Sequence, residues 1–350
     1  MRLVNLDQLS GNEILARSIV TSDYKEILAE GTLIKLAYIP KLEELGIKEV
    51  FVKDNELDAQ TKTILKEEVN KKCKEKVKEV ISKHMYNKSQ DMAEIADAAN
   101  RIIDNVVNDD NVAEQVYDIK ERSADLYEHS TSTCTIATLV AIKMGLSEDL
   151  VHDLSVGCLL HDLGLRYVTV DYIDKDMNSA EPREKDEYCK HTVFGYSAIK
   201  HEEWLSKTSK EIILMHHETL DGEGYPLHNG DISITTKIAA TCDYFDESIC
   251  GIGHERKRVH EAVEYLKAFK GIKYDSQVVD TLLDFIAVYP SGSKVIVNTG
   301  EMAVVIRQNK GFPERPVLQL IADKSGNIIE GVLVRDMMEY KSLFIDRVID

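Results

Sequence analysis

EIILMHHETLDGEGYP, residues 211–226, starts as an apolar helical run, closes on His216 and His217, and gives way to a glycine-rich turn. VHDLSVGCLLHDLG, residues 151–164, is built the same way: an apolar helix closes on His161 and Asp162, just before Gly164, a glycine able to terminate it. In both stretches, side chains able to bind a metal stand at the edge of an apolar core. From about residue 88 to 287 the pattern stays helical almost throughout, punctuated mainly by Gly145, Gly164 and the DGEGYP cluster. The fold class read from this is mainly α.

Further candidates fall on the same helical stretch. His129 lies in SADLYEHSTST, His191 in EYCKHTVFGYS, and Asp243 directly after the apolar run KIAATC. Asp125 precedes His129 by four residues, so on a helix both point to one face. Singly, each reads as a packed or surface residue. Together they read differently, because burying several unpartnered histidines and aspartates costs on the order of several kcal/mol, and metal coordination satisfies them all. Imidazole and carboxylate donors without thiolate suit iron, manganese or zinc better than magnesium or calcium. Histidines 84, 152, 201, 228, 254 and 260 have no motif context and read as surface or core.

The remainder of the chain frames this region. At 350 residues two or more units are expected, and 43% hydrophobic with 30% charged residues fits a globular protein. Sixty-one acidic against 43 basic residues give a net charge of -18, the wrong sign for duplex nucleic acid or anionic lipid. The N-terminal stretch MRLVNLDQLSGNEILARS carries no secretory signal, and no apolar run nears the roughly 20 residues of a membrane span. Six cysteines without a CxxC pair read as reduced thiols, so a cytoplasmic protein is expected.

Residues 1–56 read as a small α+β module with strands in EILARSIV and KEVFVKD and a helix, LAYIPKLEELG, ending at Gly46. Residues 57–87 read as an amphipathic connecting helix, either packed on its own domain or forming the seam of a homodimer. Residues 88–290 form the helical domain, and 291–350 a β-rich appendage with runs such as SKVIVNTG and PVLQLIADKSGN. Glycines 222 and 224 are read as allowing positive φ near the histidines.

The motifs resemble those of HD-GYP domains, the bacterial cyclic di-GMP phosphodiesterase branch of the HD metal-dependent phosphohydrolases. His161-Asp162 with Gly164, and His216-His217 through Gly224-Tyr225-Pro226, carry the likeness, with His129, His191 and Asp243 in the family's order. It covers roughly residues 110–290. HD alone is a weak signal, whereas HHExxDGxGYP after it is highly specific. The flanking modules are similar, more softly, to segments beside some family members.

The resemblance implies an all-helical HD-type domain with two or three divalent ions, commonly iron or manganese. Its implied ligands are His129, His161, Asp162, His191, His216, His217 and Asp243, with Asp162 bridging two ions. Where the family holds a third ion, a glutamate stands four residues before the first histidine; Asp125 occupies that place here. Two ions about 3.5 to 4 Å apart can share a hydroxide that attacks a phosphodiester in line. His161 and Asp162 are accordingly the catalytic candidates. The implied activity opens cyclic di-GMP to pGpG, and on to GMP.

Two departures bear on that activity. Leu165 stands where the family has a lysine, and losing such a contact costs on the order of a hundred-fold in rate. Where the family reads DAxxxxRPY, this chain has Asp243-Tyr244-Phe245-Asp246-Glu247-Ser248 followed by ICGIGHERKR. Arg256, Lys257 and Arg258 either replace the missing charge or form a solvated turn. Substrate-contact candidates are Gly224, Tyr225, Pro226, Asp246 and Arg256. Two other readings stay open: a cyclic di-GMP receptor with little turnover, and a phosphohydrolase of another cyclic dinucleotide.

Overall fold

In the computed structural model, the described residues are 2–9, 11, 13–15, 19–20, 26–29, 31–44, 47, 49–52, 67–83, 93–108, 119, 121–122, 124–309 and 311–349. The chain divides into two units, Met1–Thr63 and Ile64–Asp350. In the first, β1 (Arg2–Asn5) pairs antiparallel with β4 (Glu49–Val52), and β2 (Ile19–Val20) with β3 (Glu26–Leu28). Leu42 of the short helix α1 (Ile39–Glu44) joins Val4, Leu15, Ile34, Val50 and Val52 in a small core. Gly46, read as the end of this helix, lies outside the described residues.

The second unit is helical before it turns to strands: α2 (Glu67–Lys83), α3 (Ala93–Asn108), α4 (Leu126–Lys143), α5 (Glu148–Leu160), α6 (Pro182–Cys189), α7 (His191–Ile199), α8 (Lys207–Met215), α9 (Ile234–Cys250), α10 (Val259–Ala268) and α11 (Ser276–Leu283). α2 packs on α3 and α4 within this unit, burying Cys73 and Val77. Residues 57–66 and 84–87 of the expected connecting helix lie outside the described residues. Among the described residues no helix is long and apolar enough to cross a membrane.

α4 shows how a polar sequence becomes a core helix. Its STSTCTIAT stretch is buried because the hydroxyls bond back to carbonyls one turn earlier: Ser130 to Leu126, Thr131 to Tyr127, Thr135 to Thr131 and Thr138 to Cys134, at 2.7–3.1 Å. Thr138 also meets Ser155 of α5 at 2.8 Å. Satisfied in this way, α4 can lie against α5 and α9 without orphaned polar groups.

α5 does not stop at a left-handed glycine, as its sequence suggests. Its last turn tightens into a 3-10 segment, His161–Tyr167, that runs through Gly164. Gly164 serves contact instead: a Cβ there would lie 1.8 Å from the His191 carbonyl oxygen and 2.6 Å from Gly195 N. The missing side chain thus lets this segment rest directly on α7.

Beyond Pro290 five antiparallel strands follow: β5 (Lys294–Val297), β6 (Met302–Arg307), β7 (Val317–Ala322), β8 (Ile328–Asp336) and β9 (Ile345–Ile349), in the order β8-β7-β6-β5-β9. Alternate residues of β5 and β6 point inward, and Val295, Val297, Val305, Leu318 and Leu320 form a second small core. The architecture is mainly α, with an α+β module at the N-terminus and an antiparallel β appendage at the C-terminus.

Candidate metal centre

Five elements end or pass at one point. His129 comes from the first turn of α4, His161 and Asp162 open the 3-10 segment, and His191 opens α7. His216 caps α8 with His217 next to it, and Asp243 projects from the middle of α9. Asp162 is central: Oδ2 lies 3.5 Å from Nε2 of both His129 and His161, while Oδ1 lies 3.6 Å from His191 Nε2 and 3.8 Å from His216 Nε2. Asp243 Oδ1 stands 3.0 Å from Nε2 of both His129 and His161, and Oδ2 stands 4.0 Å from His217 Nδ1. The seven residues named from the motifs therefore converge, all of them buried except the half-buried His217.

Outer partners fix how the rings face. His161 Nδ1 donates to the Cys158 carbonyl at 2.6 Å, His191 Nδ1 to Tyr188 at 2.7 Å, and His216 Nδ1 to Ile212 at 3.1 Å. A carbonyl only accepts, so these three nitrogens carry the protons, and the neutral rings turn Nε2 lone pairs inward. His129 Nδ1 meets Asp246 Oδ2 at 2.8 Å, and Asp246 in turn accepts from Ser132 Oγ at 2.6 Å and from Arg122.

Inside this frame, acceptors face acceptors. His129 and His161 Nε2 are 3.1 Å apart, and His191 and His216 Nε2 are 3.2 Å apart. Both oxygens of Asp162, both of Asp243, and His217 Nε2 are buried without a hydrogen-bond partner. A cation relieves such a set at once, because every one of these atoms can donate a lone pair to it. The titration behaviour carries the same demand. Burial opposes charging of His129, but the Asp243 and Asp246 carboxylates beside it hold it well above the usual imidazole range. Against the same burial, Asp162 and Asp243 raise His161. Burial would lift Asp243, yet His161 and His129 keep it well below the carboxylate range. On the other side, burial and the nearby His161 push His216 down to about 3, and burial likewise lowers His191 and His217. The donor set fits a first-row divalent ion: His129, His161 and Asp243 bring ligand atoms within 4.8 Å of one another, as do His191, His216 and His217.

The remaining candidates sit apart from this cluster or beside it. Asp125 is not on the helix with His129; it is the extended N-cap of α4. Its carboxylate accepts from Tyr127 N and Glu128 N at 3.1 Å and pairs with Lys74 at 2.5 Å. Asp246, fully buried, faces His129 and Arg122. Leu165 is 1% exposed, in the core. A pocket opens beside His216 and His217, lined among others by Lys185, Tyr225, Glu247, His254, Tyr265 and Lys273. Its lining, among the described residues, includes Gly224 but not Pro226, Asp246 or Arg256. Tyr225 stacks on His217 with ring centroids 4.6 Å apart. Gly222 has φ +73°, as expected, but Gly224 does not use positive φ: a Cβ there would lie 2.4 Å from the His217 carbonyl oxygen. Sequence reasoning does not single out Glu247, and it assigns His254 to surface or core. The four-residue step from Asp243 to Glu247 on an apolar helix was the available signal.

Comparison with known proteins bears on the family and the fold. Residues 112–278 match a family model described as an HD domain, and 294–350 one described as a KOW domain associated with HD domain. A cyclic di-GMP phosphodiesterase of Pseudomonas aeruginosa is 26% identical over 222 residues, 63% of this chain and 53% of that protein. A cyclic di-GMP phosphodiesterase of Thermotoga maritima is 28% identical over 166 residues, 46% of this chain and 45% of that one. A 3'3'-cGAMP-specific phosphodiesterase of Vibrio cholerae is 28% identical over 181 residues, 49% of this chain and 34% of that one. The chain spans about half the length, or less, of these relatives. Among solved structures, an HDG"Y"P protein from Bdellovibrio bacteriovorus shares the fold, with a TM-score of 0.55 at 18% identity over 80% of this chain and 97% of that one.

Proposed function

The chain belongs to the HD-GYP family, and from that premise we propose that it hydrolyses the phosphodiester of a cyclic dinucleotide at a centre of two or three divalent ions. Cyclic di-GMP is the first candidate substrate, with pGpG and then GMP as products. The observation that carries this reading is the division of Asp162, one oxygen facing His129 and His161 and the other facing His191 and His216. His129, His161 and Asp243 would hold one ion, His191, His216 and His217 a second, and Asp162 would lie between them. Iron or manganese bound there would supply the Lewis acidity that makes water nucleophilic at neutral pH and draws charge from phosphoryl oxygens.

The chain's own groups do the positioning. The carbonyls of Cys158, Tyr188 and Ile212 hold three imidazoles in one tautomer, and Asp246 with Arg122 holds the fourth. In the pocket, Lys185 and Lys273 offer positive charge to phosphate, and Tyr225 and Tyr265 offer aromatic faces to a base. All six cysteines are free, which suits a reducing cytoplasm as the place of action. The segments outside residues 88–290 are read as regulatory.

A second reading keeps the ions and the pocket with little turnover, so that the protein acts as a nucleotide receptor. Buried Leu165 favours it, because no cation reaches the pocket from that position. Hydrolysis of cyclic di-GMP, 3'3'-cGAMP and cyclic di-AMP by protein loaded anaerobically with iron or manganese separates the readings, with metal counted on the same sample. Metal-dependent product, lost when His161 and Asp162 are both changed to Ala, supports the enzyme. Bound metal and nucleotide without product would leave the receptor.

A further inference from the structure

α9 carries Glu247 one turn beyond Asp243, on the same face of the helix. Glu247 is 2% exposed, as deep as the six buried residues of the cluster, and it opens onto the pocket beside His217. Its surroundings do not settle a buried carboxylate. Tyr188 Oη donates to Oε1 at 3.2 Å. The two nearest imidazole nitrogens, His217 Nε2 at 3.8 Å from Oε1 and His254 Nε2 at 3.9 Å from Oε2, are beyond hydrogen-bond distance.

Beside it, both oxygens of the nearly fully buried Asp243 and Nε2 of His217 lack a hydrogen-bond partner. His217, Asp243 and Glu247 each bring one ligand atom within 4.8 Å of the others. Atoms bound to one first-row ion at about 2.0–2.2 Å lie no more than about 4.4 Å apart. The 3.8 Å between His217 Nε2 and Glu247 Oε1 falls within that limit; the 3.2 Å to Tyr188 is an ordinary anchoring bond to a ligand carboxylate. The extra carboxylate that the sequence placed at Asp125 is committed to the α4 N-terminus and Lys74. We propose that Glu247 is a further metal ligand, holding an ion together with His217 and Asp243. The proposal rests on the reading of the cluster as a metal centre.

The test counts metal. The 350-residue chain, its Glu247→Gln and Tyr188→Phe variants, and the His161→Ala, Asp162→Ala double variant are loaded anaerobically with Mn2+. They are then titrated with a chelator while metal per chain and Mn2+ electron paramagnetic resonance are followed, and circular dichroism checks the fold. E247Q should release one ion at chelator levels that leave the unaltered protein loaded, with affinity weakened at least 10- to 100-fold. Y188F should weaken the same ion by less than E247Q does, since it removes only the bond that anchors the carboxylate. Should E247Q not fold, Glu247→Asp takes its place and should hold that ion more weakly than the unaltered protein. If the glutamate variant binds metal as the unaltered protein does, while the double variant loses it, Glu247 is no ligand and the centre stands. An unaltered protein that binds no metal overturns both readings. Equal loss in Y188F and E247Q would reduce Glu247 to a structural partner of the tyrosine.

Discussion

Replacing Gly164 by alanine tests whether the contact between the 3-10 segment and α7 builds the site. A Cβ on residue 164 would begin 1.8 Å from the His191 carbonyl oxygen, and contacts under 3.0 Å are essentially never seen, so the two backbones must part by about 1.2 Å. The obstacle is backbone on both sides, Gly195 N being only 2.6 Å away, so no rotamer change absorbs it. Overpacking of this kind costs about 1–3 kcal/mol, or several degrees in Tm at roughly 2–4 °C per kcal/mol for a unit of this size. The geometric effect should exceed the energetic one. The segment that moves carries His161 and Asp162, and the helix it leaves begins with His191. A displacement near 1 Å costs on the order of 100-fold in a reaction that depends on it. Thermal unfolding and metal retention, measured on the same G164A sample, should therefore show a modest fall in Tm with a large loss of metal. A variant with native Tm and full metal would refute the close-contact role. One that lost Tm and metal in proportion would show that the glycine serves folding alone.

Three further perturbations have expected outcomes. Arg122→Ala leaves the fully buried Asp246 without its ion-pair partner and should cost about 3–5 kcal/mol in denaturant unfolding; a loss under 1 kcal/mol would mean that His129 and Ser132 suffice. Asp125→Ala should cost about 1 kcal/mol as a lost N-cap while metal content stays unchanged, and loss of an ion would return Asp125 to the ligand set. Burial, and then Lys257, push His254 down to about 4. With its folded value below the unfolded one, the residue stabilises the native state above about pH 6.5, and that contribution disappears as pH falls toward 4. Comparing His254→Asn with the unaltered protein should show a shallower acid limb over that window, by up to about 3 kcal/mol; identical limbs would refute it.

What was legible in the sequence was local. His161-Asp162 and His216-His217 end apolar helices, and a helix end at a core edge delivers its last side chains to one place, so adjacency alone announced them. Asp125 was misplaced by applying i, i+4 spacing across a helix start. The capping pattern Asp125-Leu126-Tyr127-Glu128 was the better signal, since an N-cap is extended and turns its carboxylate to backbone N–H groups. Gly224 was read for backbone freedom when the requirement is space against His217. Asp246, a substrate-contact candidate from the sequence, instead faces Arg122, a partner 124 residues away that no local pattern reveals. His254 stood in no motif, and only the tertiary fold brings it beside Glu247.

Charge closes the argument about the site. Arg122 is buried with the cluster, and its ion pairs are with Asp246 and Glu128. Asp162, Asp243 and Glu247 remain as buried carboxylates with no Lys or Arg paired to them among the described residues, in a chain that already carries -18. With all three ionised, a phosphodiester approaching this pocket would meet negative charge. Two divalent ions would leave the site one unit positive and three would leave it three units positive. In a water-poor pocket the sign of that sum governs whether an anionic substrate enters at all. The residue at 247 therefore bears on ion number and on substrate attraction together. Burial, with Asp243 and Asp162 nearby, holds Glu247 well above the usual carboxylate range, so its charge is disfavoured without metal, and removing it should loosen one ion without relieving the metal-depleted pocket of charge. Nucleotide binding by E247Q, measured with and without chelator, should thus fall below that of the unaltered protein only in the metal-loaded sample, where an ion is lost, and an equal change in both samples would contradict the charge argument.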